Sequence, residues 1–189
     1  MTDEQAKALL DRVAQAYSGF AEYDDAGFVR SETIKVTFET HFVRGQLFDF
    51  AFSGNPTGGE LMPIARVTWR PEELSFWTVL KGAPRPENLR MAIAALTGIS
   101  SGAAHTASSL LLEEVGGWLP VALREPALMP HRSVAGVSCR EIRGKHPSMP
   151  VEDSLFVDEA SSLIRARSSH RGYEQYTEYT SCRARSGAA

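Results

Sequence analysis

The stretch Pro86–Glu114, PENLRMAIAALTGISSGAAHTASSLLLEE, is helical in pattern, in the middle of a chain that otherwise alternates like sheet. Leu89, Ile93, Ala94 and Leu96 recur at helical spacing. Pro86 suits a first helical turn, and Gly98 is expected to close the helix. A second helical piece is expected from Ala103 to Glu114, ahead of Gly116-Gly117. Strand-like runs on both sides make this a helical insertion between two blocks of antiparallel strands. Such an insertion is more naturally a cover for one sheet than half of a repeating strand–helix unit.

Working outward toward the N-terminus, Ile64 to Trp69 and Leu74 to Leu80 are expected as a hairpin around Arg70-Pro71-Glu72-Glu73. Before them, Phe48, Phe50 and Phe52 alternate with Asp49, Ala51 and Ser53. Ile34, Val36, Phe38, Thr40 and Phe42 alternate with Lys35, Thr37, Glu39 and His41. The run from Phe28 through Phe42 reads as one long strand, and with the run of Phe48, Phe50 and Phe52 it forms a hairpin that puts five Phe side chains on one face: Phe38, Phe42, Phe48, Phe50 and Phe52. Asp24-Asp25-Ala26-Gly27 reads as a turn leading into it. The chain begins with a helix in which Thr2 and Gln5 fit a capping box, and Ala6, Leu9, Leu10, Val13, Ala16, Tyr17 and Phe20 follow helical spacing. Beyond the insertion, strands are expected at Leu119 to Leu123, Ser133 to Arg143, Val151 to Val157, Ser162 to Ser169 and Tyr173 to Cys182. Turns at Glu125-Pro126, Gly144 to Pro147 and Asp158-Glu159-Ala160 separate them.

The expected architecture is α+β: about nine antiparallel strands under an N-terminal helix and a central helical cover. At 189 residues it reads as one domain over 1–189, with blocks at 1–20, 28–80, 86–114 and 118–182. A formal charge of -3, with basic residues spread along the chain, gives no nucleic-acid footprint. No apolar run is long enough to span a membrane. The acidic start lacks the pattern of a secretory signal, so the chain as given reads as cytoplasmic, or as periplasmic if an export signal was removed.

Gly98-Ile99-Ser100-Ser101-Gly102 matches the G-x-S-x-G pattern of a hydrolase elbow, with His105 just beyond. An elbow needs a strand before its serine, and here the preceding segment is helical. The pattern therefore reads as a helix–helix joint, with Ser100 or Ser101 capping the second helix. Hydrolysis through Ser100 stays a remote alternative. His41, His105, His131, His146 and His170 are scattered without metal-ligand spacing, and no nucleotide motif is present, so neither metal nor cofactor is expected. The carboxylate pairs fall at turns and element ends, as solvated caps do. Cys139 and Cys182 either pair between neighbouring strands or stay as separate thiols.

Residues Ala92 to Thr106, followed by Leu110-Leu111-Leu112, resemble a segment of the LolA-type outer-membrane lipoprotein-sorting proteins, where it lies between two sets of strands. Phe38 to Arg44 is similar to the early F-x-T-x-F strand of that family. Val134 to Ile142, Asp153 to Asp158 and Leu163 to Arg165 are similar to its late strands. The sequence departs from the family in having no export signal or lipobox cysteine as given, and in replacing the Asp-Gly turn after the Trp69 strand by Arg70 to Glu73. The resemblance implies an incompletely closed, strongly curved half-barrel with an apolar concave face, in relatives that carry lipid or lipoprotein acyl chains without chemistry.

Two functions follow as expectations. In the first, a lipid or acyl chain lies against Phe38, Phe42, Phe48, Phe50, Phe52 and Trp69, closed in by Leu110 and Leu111. In the second, the same residues fill a core, and the domain serves as an interaction scaffold whose protein partner the sequence does not name. A cavity wall and a core wall are written with the same side chains.

Overall fold

The computed structural model describes residues 3–30, 35–55, 60–83, 85–115, 120–147, 149–170 and 174–187. Helix α1 (Asp3–Gly19) buries one apolar stripe formed by Ala6, Leu9, Leu10, Val13 and Tyr17. The capping residue Thr2 lies outside the described residues. The last turn of α1 carries no basic residue, and Arg44 supplies one from elsewhere: its Nε donates to the Phe20 carbonyl at 2.8 Å and its Nη2 to the Tyr17 carbonyl at 2.9 Å. A cation placed there suits the negative end of the helix.

Five strands follow: β1 (Phe20–Arg30), β2 (Lys35–Val43), β3 (Leu47–Gly54), β4 (Met62–Arg70) and β5 (Glu73–Thr78). Helices α2 (Leu89–Ile99) and α3 (Ala103–Leu111) and a short 3-10 turn (Glu113–Val115) come next. The chain then forms β6 (Arg124–Val134), β7 (Val137–Lys145), β8 (Glu152–Asp158), β9 (Leu163–His170) and β10 (Glu174–Ser186). All ten strands join one sheet in the order β5-β4-β3-β2-β1-β10-β9-β8-β7-β6, every pair antiparallel. This order explains the cover. The first meander ends at one edge of the sheet and the second begins at the other, so α2 and α3 must cross between edges. They cross on the face where α1 also packs, and the curved sheet stays open with β5 and β6 as its outer strands.

The α+β class, the antiparallel curved sheet and the helical cover are as expected; several boundaries are not. The long strand expected from Phe28 is two strands, and Asp24-Asp25-Ala26-Gly27 lies in the middle of β1 rather than in a turn. These residues have poor strand propensity, which tertiary contacts override. Gly27 shows how: a Cβ built there would sit 2.7 Å from Phe38 Cζ and 2.1 Å from the Glu178 carbonyl oxygen. Only hydrogen fits between the Phe38 ring and β10. Gly27→Ala should therefore destabilise the protein by about 1–3 kcal/mol through overpacking, read as a lower midpoint in urea. An unchanged midpoint would mean that the bulge beside Gly27, between Ala26 and its neighbours on β10, opens to admit a methyl group.

In the second block, residues 120–123 are not a strand, and the strand expected from Ser133 to Arg143 is a hairpin. Ala135 and Gly136 form its turn at φ 48° and 80°. Glu125-Pro126, expected as a turn, lies within β6. That strand tolerates Pro126 and Pro130 because its register breaks between Arg124 and Ala127 and again between Leu128 and His131. Splitting two strands and losing one gives ten among the described residues in place of about nine.

The main core lies between the helices and the concave face, and a smaller cluster of Val134, Cys139, Phe156 and Ala166 covers part of the other face. The two cysteines fall on opposite sides: Cys139 sits in the small cluster, and Cys182 packs at the border of the main core. They are free thiols, on strands three places apart, or about 14 Å across the sheet.

Candidate functional site

The strand alternation read from sequence places the five phenylalanines together. Phe38 pairs across β2–β3 with Phe52, Thr40 with Phe50, and Phe42 with Phe48. Phe50 lies 6.1 Å from Phe38 and 6.3 Å from Phe52 between ring centroids, and Tyr179 meets Phe38 edge-on at 5.5 Å. None of the five is more than 4% exposed, and Leu89, Ile93, Leu96 and Leu111 from the helices belong to the same buried cluster. Trp69 and Leu110 are only partly buried at its border. The helices thus lie on this face as fill, and none of the five phenylalanines borders the cavity described below.

Beneath the helices, β1 also carries a buried acid. Asp25 is 4% exposed, flanked by Thr40 on β2 and Cys182 on β10, with Tyr23 two residues away on the same face. Burial pushes its carboxyl from the ordinary 3.8 up to about 7, while the Thr40 and Tyr23 hydroxyls and the Thr40 amide pull the other way. Burial likewise pushes the Cys182 thiol up to about 12 and raises the Tyr17, Tyr23 and Tyr179 phenols, with the Asp25 charge adding to each.

The helical joint resolves the serine pattern. Asn88 caps α2 by accepting the Met91 amide at 2.9 Å, so the helix starts after Pro86 rather than with it. It also runs past Gly98 to Ile99, and Ser100 is its C-cap. The Gly102 amide donates back to the Thr97 carbonyl at 2.9 Å, with Ser101 at φ 54° and Gly102 at φ 83°, which is a Schellman ending. Ser100 is fully buried, and its Oγ accepts the Ala104 amide at 3.2 Å in the first turn of α3. Its hydroxyl therefore serves the joint and does not face the adjacent cavity. Ser101 holds a left-handed conformation that favours glycine, so Ser101→Gly should raise stability by up to about 1 kcal/mol. A thermal midpoint that falls would show that the Ser101 side chain contributes contacts outweighing that strain.

The joint forms one wall of a polar cavity of about 420 Å³. Thr97, Ser101 and His105 come from the joint and α3, Arg167 and Ser169 from β9, Gln175 and Thr177 from β10. His146, just past β7, completes the ring beside Met149. At its base Arg167 Nη2 donates to Asp153 Oδ2 at 3.0 Å, and Ser169 Oγ donates to Asp153 Oδ1. The Asp153 side chain is fully buried and that of Arg167 nearly so. His146 is fixed by its Nδ1, which accepts the Met149 amide at 3.1 Å, and by its carbonyl, which accepts Arg124 Nη2 at 3.2 Å. Burial lowers the His105 pKa, and the charges of Arg167 and His146 lower it further. The cavity wall carries polar groups from the joint, α3, β9 and β10. Among the described residues, no three His, Cys, Asp or Glu side chains gather as metal ligands.

The sequence reading missed this site. His105 and His146 meet only through the fold. A signal was present on the strands: Arg167 and Ser169 on β9, and Gln175 and Thr177 on β10, are polar side chains at positions that alternate with the outer face.

The fold is an open, antiparallel ten-stranded sheet under a helical cover, and its likeness to solved structures is one of fold alone. Among solved structures, the chain is similar to MucB, with a TM-score of 0.59 and 12% identity over 98% of this chain and 61% of that one. It is similar also to MucB in the Pseudomonas aeruginosa MucA/MucB complex, at 0.57 and 13%, over 98% of this chain and 59% of that one. The chain thus spans about three-fifths of the length of MucB. An outer membrane lipoprotein-sorting domain from Vibrio parahaemolyticus aligns over 100% of this chain and 95% of its own at 7% identity, but its TM-score of 0.33 is too low to carry an argument. No protein-family model matches the sequence, and no curated protein matches it.

Proposed function

We propose that this chain is a non-catalytic domain that binds a protein partner, and that the partner pairs along β5. The observation that carries this reading is the distribution of apolar surface. The concave face is filled by the chain's own helices, whereas Trp77 (50% exposed), Val79, Leu80, Leu61 and Met62 stand in water beside the β4–β5 edge. The Val79 amide donates to the Ile64 carbonyl at 2.9 Å, which holds these groups together at one end of the hairpin. The two sheet edges differ in kind. Edge strand β6 carries two prolines and two register breaks and packs against α1, the usual ways of blunting an edge. Strand β5 contains no proline and pairs with β4 without a break, so an extended segment can add to it by backbone hydrogen bonds, with Trp77 as anchor. MucB, which shares the fold, forms a complex with a protein, MucA; that supports the same use here.

Carriage of a lipid or acyl chain against Phe38, Phe42, Phe48, Phe50, Phe52, Trp69, Leu110 and Leu111 is the competing reading, and it requires α2 and α3 to lift from the sheet face on which they pack. A photo-crosslinking residue placed in turn at Trp77 and at Phe50, in the cells from which the sequence derives, separates the two. The expected result is one discrete polypeptide adduct at position 77, lost on Val79→Lys/Leu80→Lys substitution, and none at position 50. A lipid adduct at position 50, or co-purified lipid in native mass spectra, would overturn the proposal.

A further inference from the structure

We propose that the partner on β5 is a second copy of this chain, paired antiparallel with the first about a twofold axis through Phe76. The inference rests on the reading of β5 as the docking edge and deepens it by naming the occupant.

The backbone sets the register. The Val79 amide donates to the Ile64 carbonyl, so these two form a hydrogen-bonded pair, and the β4–β5 ladder runs from there to Arg70 and Glu73 without a break. Bonded and non-bonded pairs alternate along an antiparallel ladder. Glu73, Ser75 and Trp77 therefore bond to β4, whereas Leu74, Phe76 and Thr78 turn their amides and carbonyls outward, at the edge where the strand order ends. These three positions are symmetric about Phe76. A second β5 running antiparallel sets Phe76 against Phe76, and Leu74 of each copy against Thr78 of the other; every such pair exchanges two backbone hydrogen bonds. Moving the axis by one residue in either direction matches one of the three with Glu72 or Leu80, which lie outside the strand.

The side chains agree with this register. On the concave side the apolar rows Phe50–Val67–Phe76 and Phe48–Trp69–Leu74 run to β5 and stop there, with Leu74 and Phe76 only half-buried. Pairing continues both rows into the second copy through a Phe76–Phe76 contact. On the opposite side the exposed Trp77 comes to lie beside Ser75, a small neighbour that leaves room for the indole. The charges are self-complementary as well. Glu72 and Glu73 stand at one end of the strand and Lys81 just past the other, and none of them has an ion-pair partner among the described residues. Antiparallel pairing brings Lys81 of each copy to the acidic end of the other, and a parallel arrangement would set like charges together.

Sedimentation equilibrium of the whole chain, with residue-level hydrogen exchange, tests this. Expected is a concentration-dependent monomer–dimer equilibrium in which the Leu74, Phe76 and Thr78 amides exchange at least about tenfold more slowly in the dimer. Glu73→Lys and Lys81→Glu should each weaken self-association by about tenfold, because the twofold axis turns two attractions into two repulsions. Mixed one to one, the two variants should recover a dimer, since each introduced charge then meets its opposite. Recovery on mixing cannot come from a misfolded chain, so it separates pairing from a loss of structure.

The crosslink at position 77 tells the two readings apart. An adduct of twice the mass of the chain supports the second copy. A chain that stays monomeric at its highest soluble concentration while position 77 captures a different polypeptide overturns the second copy and leaves β5 as the docking edge. A monomer with no adduct at 77 overturns both. A dimer without slowed exchange at the three amides, or variants that fail to recover on mixing, would overturn the pairing proposed here.

Discussion

Asp25→Asn will make the protein more stable at pH 8 by about 3–4 kcal/mol and will flatten its stability between pH 4 and pH 7. The reason lies in β1. Asp25 is buried among Tyr23, Thr40 and Cys182, and among the described residues no ion pair offsets its charge. Its carboxyl is raised from 3.8 to about 7, about three units at 1.36 kcal/mol each. The folded protein holds this proton to higher pH than the unfolded chain does, so folding takes up a proton across that interval. The associated stability is fully present below about pH 4 and is lost as pH rises through about 7. Asparagine keeps the shape and the hydrogen-bonding capacity and removes the charge. His105 acts in the opposite sense, since its lowered pKa makes the folded state gain as pH rises. It does so in both proteins, so the difference between their urea stabilities isolates Asp25. Asp49 and Asp158, held below the ordinary value, titrate beneath this window. Parallel stability curves for the two proteins would refute a buried, strained carboxyl at this position.

Phe50→Ala will destabilise the protein by about 3–5 kcal/mol, the usual cost of removing a buried aromatic from a packed core. Phe50 is 1% exposed and touches Phe38 and Phe52 on the sheet, under helices that belong to the same cluster. The vacated space has no outlet to water, so its walls lose contacts that solvent cannot replace. Urea unfolding measures the loss. A carrier with a hollow concave face would respond otherwise: truncating a wall residue there costs far less stability and shows itself in ligand uptake. A loss below about 1 kcal/mol would therefore count against the filled core, and against the protein-binding reading that rests on it.

The phenylalanine face was legible in the sequence because strand alternation has a fixed period. Once Phe38 and Phe42 share a face, the register of the next strand carries Phe48, Phe50 and Phe52 to it. The helical insertion was legible for the same reason, with a different period. Strand β1 was not, because Asp24, Asp25, Ala26 and Gly27 carry the local signature of a turn, and what makes them strand is the Phe38 ring and β10 on either side of Gly27. The hairpin at Ala135-Gly136 was missed because the strong turn signal lay at Glu125-Pro126, inside an edge strand that absorbs proline in bulges. The polar cavity was illegible as a site. Its histidines and its arginine come from α3, the end of β7 and β9, elements that meet only after the second meander returns β10 to β1.

The sequence by itself determined the α+β class, the two strand blocks, the helical cover between them and the identity of the apolar face, because periodicity and turn chemistry are local properties of a chain. It also reduced Gly98–Gly102 to a joint, since a helix precedes it. Only the tertiary structure decided that the cover crosses from one edge of the sheet to the other and fills the face beneath it. Whether a wall of phenylalanines is a core or a cavity depends on the distance between two elements, and distance across a fold is not written in either of them. The stretch Pro86–Glu114 thus encodes its helices, and the sheet order β5-β4-β3-β2-β1-β10-β9-β8-β7-β6 sets what they cover.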